Sequence, residues 1–256
     1  PMAINVAEAQ KMLDAYHRSG KKLTIGYQNR QRNESLYLKQ EALDGTFGDI
    51  YYAKATYLRR SGCPGGWFGD RTFSGGGPLI DLGVHVIDLV RFLSGSPKPV
   101  SVFGATYSNL GPNRAQGLEQ GWHLRDESGR FEYNVEDMAT ALIRFDSGLT
   151  LSVEASFNLN VKEDRGNIEL FGTKAGAKLD PDLTLYNELN GYLANVTLAA
   201  PTALSFDGLF VNEINHFVDC ILTGAPCRNP AEDGVALMQI LDAIYESAKT
   251  GHEVQL

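Results

Sequence analysis

The 256-residue chain has no long apolar segment, no excess of positive charge and no paired cysteines. No apolar run reaches the roughly 18–20 residues of a membrane-spanning helix, so no membrane span is expected. Lys and Arg number 23 against 31 Asp and Glu, which gives a net charge of −8. This acidic balance argues against nucleic acid as a partner, because phosphate binding needs clustered cations.

Cysteine usage bears on the compartment. The three cysteines, Cys63, Cys220 and Cys227, are odd in number and lack the pair spacing of a metal site. They are predicted to be free thiols of a reducing compartment, and we expect the protein to be cytoplasmic.

What the chain does have is the composition of an ordinary globular protein, with 43% hydrophobic and 21% charged residues. Alternating apolar and β-branched residues predict strands at 48–60, 100–109, 138–145, 149–158, 167–172 and 183–187. Helical spacing predicts helices at 34–44, 78–95, 212–223 and 229–251. In the helix at 212–223, the residues expected to face inward are Ile214, Phe217, Val218 and Ile221.

Most of these strands are joined by hairpin-length links, such as the turn at 146–148, and such links favour an antiparallel sheet. The predicted fold class is therefore α+β, with a large, mostly antiparallel open-faced β-sheet and flanking helices. Few helices are available to cover that sheet, so one face should remain open. Open apolar faces are usually buried by a partner, and we expect a homo-oligomer formed through this face.

The first thirty residues have the sequence pattern of a structural unit distinct from the rest of the chain. Asn5 and Glu8 have the spacing of a helix-capping box, Gly20 is a helix stop, and 21–27 is predicted to be a short strand. A lone helix and strand cannot bury their own apolar faces. We therefore expect residues 1–30 to be the end of a larger α/β layer and 31–256 to form an α+β domain.

The segment at 74–88, "SGGGPLIDLGVHVID", contains the chemistry-bearing residues. Positions i, i+4 and i+7 of a helix share a face, so Asp81, His85 and Asp88 are predicted to line one stripe of an otherwise apolar helix. Buried charges are costly unless they are paired or face a cleft. The preceding glycines and Gly83 would permit a close approach by a ligand.

Three interpretations of this stripe remain open on the residues alone. Asp81 and His85 are either a structural helix-start acid with a core histidine or a functional pair facing a cleft. They could also be metal ligands, with His123 or Asp137 completing the set. No further His or Cys pair stands at the spacing of a metal site.

The segment "GGGPLIDLGVHVIDLVRFLSG" resembles the signature of the Gfo/Idh/MocA oxidoreductases, in which a glycine-rich loop enters a helix with an Asp and, four residues later, a His. "PMAINVAEAQKML" resembles the segment after the family's Glu-Lys-Pro motif, and "KKLTIGYQNR" resembles the last strand of its dinucleotide (Rossmann) domain. The strand succession and the closing segment "NPAEDGVALMQILDAIYESAKTG" are also similar, so the resemblance covers the whole chain.

This resemblance implies hydride transfer between NAD or NADP and a sugar or polyol hydroxyl. His85 would be the general acid or base on that hydroxyl, for which an imidazole is suited because its ordinary pKa, about 6.5, is near working pH. Asp81 would hold the substrate and the imidazole in line. Gly83 and the glycines before it would let the nicotinamide lie close to the backbone.

One feature of the family is missing. The Gly-x-Gly-x-x-Gly fingerprint occurs nowhere in the sequence, and the family's catalytic Lys would stand immediately before Pro1. We therefore expect residues 1–256 alone to bind no cofactor and to be inactive. Neither the choice of sugar, nor NAD against NADP, nor the oligomer size can be predicted.

Further residues are candidates for the cleft. Tyr27, Asn29 and Arg30 follow the predicted strand at 21–27, at the end where α/β proteins bind ligands, and are predicted to contact the cofactor or substrate. The predicted substrate-binding residues are Arg59, Arg60, Trp67, Trp122, His123, Phe157 and Asn158. Two arginines beside an aromatic ring suit an anionic group and a stacked sugar ring.

The leading functional hypothesis is thus the substrate side of an NAD(P)-dependent dehydrogenase. The alternatives are a non-enzymatic domain that interacts through its sheet, and a metal-dependent hydrolase or isomerase that uses Asp81 and His85 as ligands.

Overall fold

A computed structural model describes residues 1–111, 130–180, 182–198 and 206–256. Its helices are α1 (Val6–Ser19), α2 (Asn33–Leu43), the single turn α3 (Arg71–Ser74), α4 (Val84–Leu93), α5 (Phe206–Thr223) and α6 (Ala231–Thr250). Its strands are β1 (Ile50–Leu58), β2 (Pro99–Tyr107), β3 (Met138–Phe145), β4 (Thr150–Ser156), β5 (Arg165–Gly172), β6 (Gly176–Leu179), β7 (Thr184–Leu189), β8 (Tyr192–Thr197) and β9 (Val254–Gln255).

The nine strands within the described residues form one sheet in the order β8-β7-β6-β5-β1-β4-β3-β2-β9. Neighbouring strands are antiparallel except β1 and β4, which run parallel because β1 inserts between β4 and β5. The predicted α+β fold with a mostly antiparallel open sheet is confirmed. The strands β6, β8 and β9 were not predicted; β6 and β9, with four and two residues, are too short to show alternation.

Helices α4 and α6 cover one face of the sheet. Alternate residues of β3, such as Ala141 and Ile143, are buried beneath them. Gly104 of β2 permits the close approach of α6, because a Cβ there would lie 2.8 Å from Ile244. The opposite face is open: Phe103 of β2 lies directly across from Leu142 of β3, and the two side chains are 51% and 48% exposed.

Two local predictions are wrong. Residues 21–27 do not form a strand; Thr24 makes one isolated bridge to Pro230, because the described residues offer no strand along which the segment could extend. The predicted inward face of α5 is largely outward, since Ile214, Val218 and Ile221 are exposed. The residues of α5 that are buried include Glu213 and Cys220.

No helix within the described residues is both long enough and apolar enough to cross a bilayer.

Candidate functional site

The helix of the glycine motif begins with a wide turn. Residues Leu79–Gly83 form a π-helical turn that passes directly into α4. A π turn adds a residue to the usual spacing and so changes which side chains share a face. Asp81 and His85 line the same cleft, whereas Asp88 lies within the protein core and is fully buried.

The cleft has a volume of about 1310 Å³. It lies between the start of this helix and the ends of β1 and β5, and the turn at Gln28–Gln31 contributes to its wall. The side chains that line it and carry polar groups include Gln28, Asn29, Arg32, Lys54, Arg59, Asp81, His85, Glu163, Asp164, Arg165, Asn167, Glu169 and Asp180.

His85 is held neutral in this cleft. Burial, with a smaller contribution from the positive charge of Arg59, lowers its pKa to about 4. Its Nδ1 is buried without a hydrogen-bond partner among the described residues. An imidazolium would place an unsatisfied N–H at that atom, so the missing acceptor also favours the neutral ring.

Asp81 is shifted in the opposite direction. Burial raises the pKa of its carboxyl group, and the positive charge of Arg59 opposes that rise. Arg59 itself donates to the carbonyl of Gly62 at 2.7 Å and lies over the ring of Tyr57. The wall thus combines an acid, a neutral imidazole and a guanidinium.

Arg30 and Asp88 form a structural ion pair, and the prediction that Arg30 contacts a ligand is wrong for the geometry observed. Arg30 donates to both carboxylate oxygens of Asp88 and, through Nη1, to the carbonyl of Arg228 at 2.7 Å. The same Nη1 lies 2.9 Å from Asp233. These partners take four of the five N–H groups of the guanidinium, and the side chain is 1% exposed and does not line the cleft.

Tyr27 and Gly83 also lie away from the cleft. Tyr27 is buried in the core, where burial above all raises the pKa of its phenol. Gly83 packs the helix on the sheet, since a Cβ there would lie 3.1 Å from Leu79 and 3.5 Å from Ala155. Of the four predicted cofactor-binding residues, Asn29 lines the cleft.

Packing within the protein explains why the triplet consists of glycines. A Cβ on Gly75 would lie 2.6 Å from the carbonyl oxygen of Ile4, one on Gly76 would overlap the hydroxyl of Tyr245, and one on Gly77 would overlap the carbonyl oxygen of Glu136. That these glycines also let a nicotinamide lie close to the backbone stays a prediction.

The predicted substrate-binding residues divide into groups. Arg59 lines the cleft. Arg60 and Trp67 do not line the cleft. Arg60 donates to the carbonyl of Lys162 at 2.9 Å, and Trp67 stacks on Phe68, whose side chain lines the cleft.

Phe157 and Asn158 are corrected as well. Phe157 is fully buried with Cys63 and Leu82, and Asn158 is buried and donates to the carbonyl of Gly111 at 2.6 Å. Trp122 and His123 lie outside the described residues.

The metal interpretation gains no support from the described ranges, which contain no group of three His, Cys, Asp or Glu side chains arranged to hold an ion. Asp137 accepts hydrogen bonds from the hydroxyl of Tyr133 at 2.8 Å and from the backbone N–H of Leu110 at 2.5 Å.

The family description "GFO/IDH/MocA C-terminal domain" matches residues 36–178, more than half of the sequence. The chain belongs to the Gfo/Idh/MocA family. The recognition made from the glycine motif is therefore confirmed, and with it the assignment to an oxidoreductase family whose curated members include named sugar dehydrogenases.

Two Gfo/Idh/MocA relatives illustrate the similarity. The chain is 31% identical to D-glucoside 3-dehydrogenase of Escherichia coli K12, over all of this chain and 71% of that protein. It superposes with a TM-score of 0.78 on the crystal structure of aldose-aldose oxidoreductase from Caulobacter crescentus complexed with glycerol, at 26% identity over all of this chain and 70% of the other. The match covers 49% of the putative UDP-kanosamine synthase oxidoreductase subunit of Amycolatopsis mediterranei and 46% of the levoglucosan dehydrogenase of Pseudarthrobacter phenanthrenivorans.

One solved Gfo/Idh/MocA structure is a dehydrogenase complex with NADH and levoglucosan. The chain matches it with a TM-score of 0.81 and 22% identity, over all of this chain and 71% of that one. This likeness supports the fold.

Several residues of the site were not predicted. Arg32 and Asp180, which both line the cleft, form a bidentate ion pair with hydrogen bonds of 2.8 and 3.0 Å. Glu136 and Tyr245 meet at the glycine motif. The adjacent acids Glu136 and Asp137, directly before a strand, are a signal that sequence reading could have used.

Proposed function

We propose that this chain forms the substrate side of an NAD(P)-dependent dehydrogenase, in which His85 exchanges a proton with a sugar or polyol hydroxyl. The observation that carries the proposal is a neutral imidazole and an acid on one wall of a cleft large enough for a sugar. Family membership and the name of the E. coli relative favour a carbohydrate substrate.

His85 acts as the base when a hydroxyl is oxidised. A ring that is neutral above its pKa of about 4 can accept the hydroxyl proton as the carbon loses hydride and the C–O bond becomes a carbonyl. In the reverse direction the imidazolium returns the proton to the oxygen. Burial makes the charged ring costly, so the proton is readily passed on.

Asp81 and Arg59 orient the substrate beside this imidazole. Asp81, one helical turn before His85, can accept a hydrogen bond from a neighbouring hydroxyl of a polyol. The guanidinium of Arg59 can donate hydrogen bonds to oxygen atoms of the substrate. Its positive charge acts on Asp81 and His85, as its influence on their pKa values indicates. Fixing a substrate in this way supplies much of the rate advantage of an enzyme.

A nicotinamide cofactor, when bound, supplies the hydride acceptor. The described residues fit its nicotinamide end, since Gln28 and Asn29 lie on the cleft wall that also includes His85. No Gly-x-Gly-x-x-Gly sequence for the diphosphate occurs in these 256 residues. We therefore infer that residues 1–256 alone bind neither NAD nor NADP.

We also propose that the protein is a cytoplasmic homo-oligomer. The open face of the sheet exposes Phe103, Tyr107 and Leu142, and an exposed apolar face of this kind is usually covered by a partner. A second copy would cover it symmetrically. The three free cysteines favour a reducing compartment.

The boundary at residue 30 remains a proposal. Residues 1–30 would belong to the dinucleotide-binding domain, yet Ala9, Leu13 and Ile25 share the main hydrophobic core with the sheet.

The test is an assay of the protein expressed from its complete gene. We expect formation of NADH or NADPH with a D-glucoside, an aldose or an inositol. His85→Asn should reduce kcat by about 10²–10⁴-fold, as removal of a general base does. Arg60→Gln, outside the cleft, is the matched control and should leave kcat within about twofold. Full activity of His85→Asn would refute the proposal.

Titration of residues 1–256 with NADH tests the cofactor inference separately. We expect no heat of binding by calorimetry, and an affinity in the micromolar range would contradict the inference.

A further inference from the structure

The buried carboxylate of Glu136 lies against the start of the motif helix. Glu136 stands two residues before β3 and is 1% exposed. Its Oε1 accepts hydrogen bonds from the backbone N–H groups of Gly77 at 3.0 Å and Leu79 at 3.3 Å. Its Oε2 lies 3.4 Å from the guanidinium of Arg71.

Through these contacts, the Glu136 carboxylate caps the N-terminus of the motif helix. The first turn of a helix leaves N–H groups without partners inside the helix. Pro78, at the capping position, makes no side-chain hydrogen bond to this turn and has no N–H of its own. Glu136 therefore satisfies the N–H groups on either side of Pro78 from a distant part of the chain, and Asp81 lies two residues beyond Leu79.

Tyr245 of α6 completes the arrangement. Its hydroxyl donates to Oε1 of Glu136 at 2.8 Å, and burial, followed by the charge of Glu136, raises its pKa well above the ordinary value. The phenol therefore stays protonated and remains a donor. The same hydroxyl lies against Gly76, where a Cβ would overlap it.

The two side chains thus connect the motif helix to two other elements, the strand edge at β3 and the last helix. Through these hydrogen bonds and this contact, Glu136 and Tyr245 restrain the backbone at 76–79. Asp81 and His85 follow directly on the same helix, and proton transfer is sensitive to displacements of about 1 Å.

We propose that Glu136, supported by the Tyr245 hydroxyl, is a positioning residue that sets the location of Asp81 and His85 in the cleft. This inference rests on the proposed dehydrogenase function. Glu136 touches neither substrate nor cofactor in this role; it acts through the backbone of the motif helix.

The experiment compares Glu136→Gln and Tyr245→Phe with Ser247→Ala. Ser247 is also fully buried on α6, accepts from the N–H of Gly104 at 2.9 Å and donates to the carbonyl of His252 at 2.7 Å. Its loss should lower thermal stability without touching the motif helix, which makes it a matched structural control.

In the protein expressed from its complete gene, Glu136→Gln should lower kcat about tenfold or more, with KM within about threefold. Tyr245→Phe should do the same to a smaller extent, and it keeps the proposal testable should Glu136→Gln not fold. Ser247→Ala should leave kcat within about twofold. If Glu136→Gln and Tyr245→Phe lower only the Tm, like Ser247→Ala, the positioning role is refuted.

A second readout separates this inference from the proposed function. In residues 1–256, an NMR titration of His85 should give a higher pKa in Glu136→Gln than in the wild type, because a loosened first turn admits water. Ser247→Ala should not change it. If the protein expressed from its complete gene shows no dehydrogenase activity while the pKa is shifted in residues 1–256, the function is refuted and the positioning role stands; an unshifted pKa would refute the positioning role.

Discussion

Arg30 donates two parallel hydrogen bonds to Asp88, from Nε at 2.9 Å and from Nη2 at 2.5 Å, and both side chains are almost fully buried. The pair joins the turn that precedes α2 to the helix that contains His85. It is therefore an internal support of the cleft rather than part of its surface.

Replacing one partner of this pair should be costly. Asp88→Asn removes one of the two carboxylates that pair with the buried guanidinium of Arg30, Asp233 being the other, and should lower the free energy of unfolding by up to about 3–5 kcal/mol. Chemical denaturation measures this loss. The double variant Arg30→Met/Asp88→Leu removes both charges and leaves Asp233 with Arg91, at 3.5 Å. It should be more stable than Asp88→Asn, and a less stable double variant would contradict this account.

Stability should depend on pH through His85. Its folded pKa of about 4 lies below the ordinary value of 6.5, so between these values the unfolded chain binds a proton that the folded chain does not. The contribution is complete above pH 6.5 and is lost as the pH falls toward 4. At pH 5 the loss is about 2 kcal/mol.

The measurement is the unfolding free energy of the wild type and of His85→Asn at pH 7 and pH 5. The variant should lose less stability than the wild type over this interval. Equal losses in the two proteins would show that His85 does not titrate as the structure implies.

The positive charge of Arg59 should lower the pKa values of both His85 and Asp81. Arg59→Gln removes a cation that favours the deprotonated forms, so the pKa values of His85 and Asp81 should both rise. NMR titration of the two side chains in residues 1–256 measures this. Arg60→Gln is the control of equal charge change, and a matching rise in that variant would argue against a specific role for Arg59.

The open face of the sheet predicts an association that charge can disrupt. Phe103→Lys together with Leu142→Lys places two cations directly opposite each other on the exposed face, and like charges repel across a strand pair. We expect light scattering to give an oligomer for the wild type and a monomer for this variant. Ser152→Lys, on β4 beside Leu142, tests whether the contact extends along the face, while an unchanged mass for the double variant would exclude this surface as the interface.

The sequence predicted the elements whose partners lie nearby. Residues 138–145 were predicted as a strand with the bounds that β3 has, because alternation there is regular and the next strand follows after a short turn. Residues 21–27 have similar β-branched character, but a strand also needs a neighbour along which to pair, and that neighbour is a property of the whole fold.

The site shows the same limit. Asp81 and His85 were predicted from their own spacing and do line the cleft. Asp88 shares that spacing, yet its role depends on Arg30, which is distant in the chain and has no local signal. The outward apolar residues of α5, such as Ile214, show that a helical pattern identifies a face without identifying what covers it.

Because the phenol of Tyr245 contacts the backbone of Gly76, the residue types that positions 76 and 245 tolerate depend on each other. A larger residue at position 76 demands a shorter one at position 245, and neither exchange is accessible alone without disturbing the turn that leads to Asp81. Selection for an altered substrate range should therefore change the glycine motif and α6 together. Libraries that vary position 76 while keeping Tyr245 should yield few folded members.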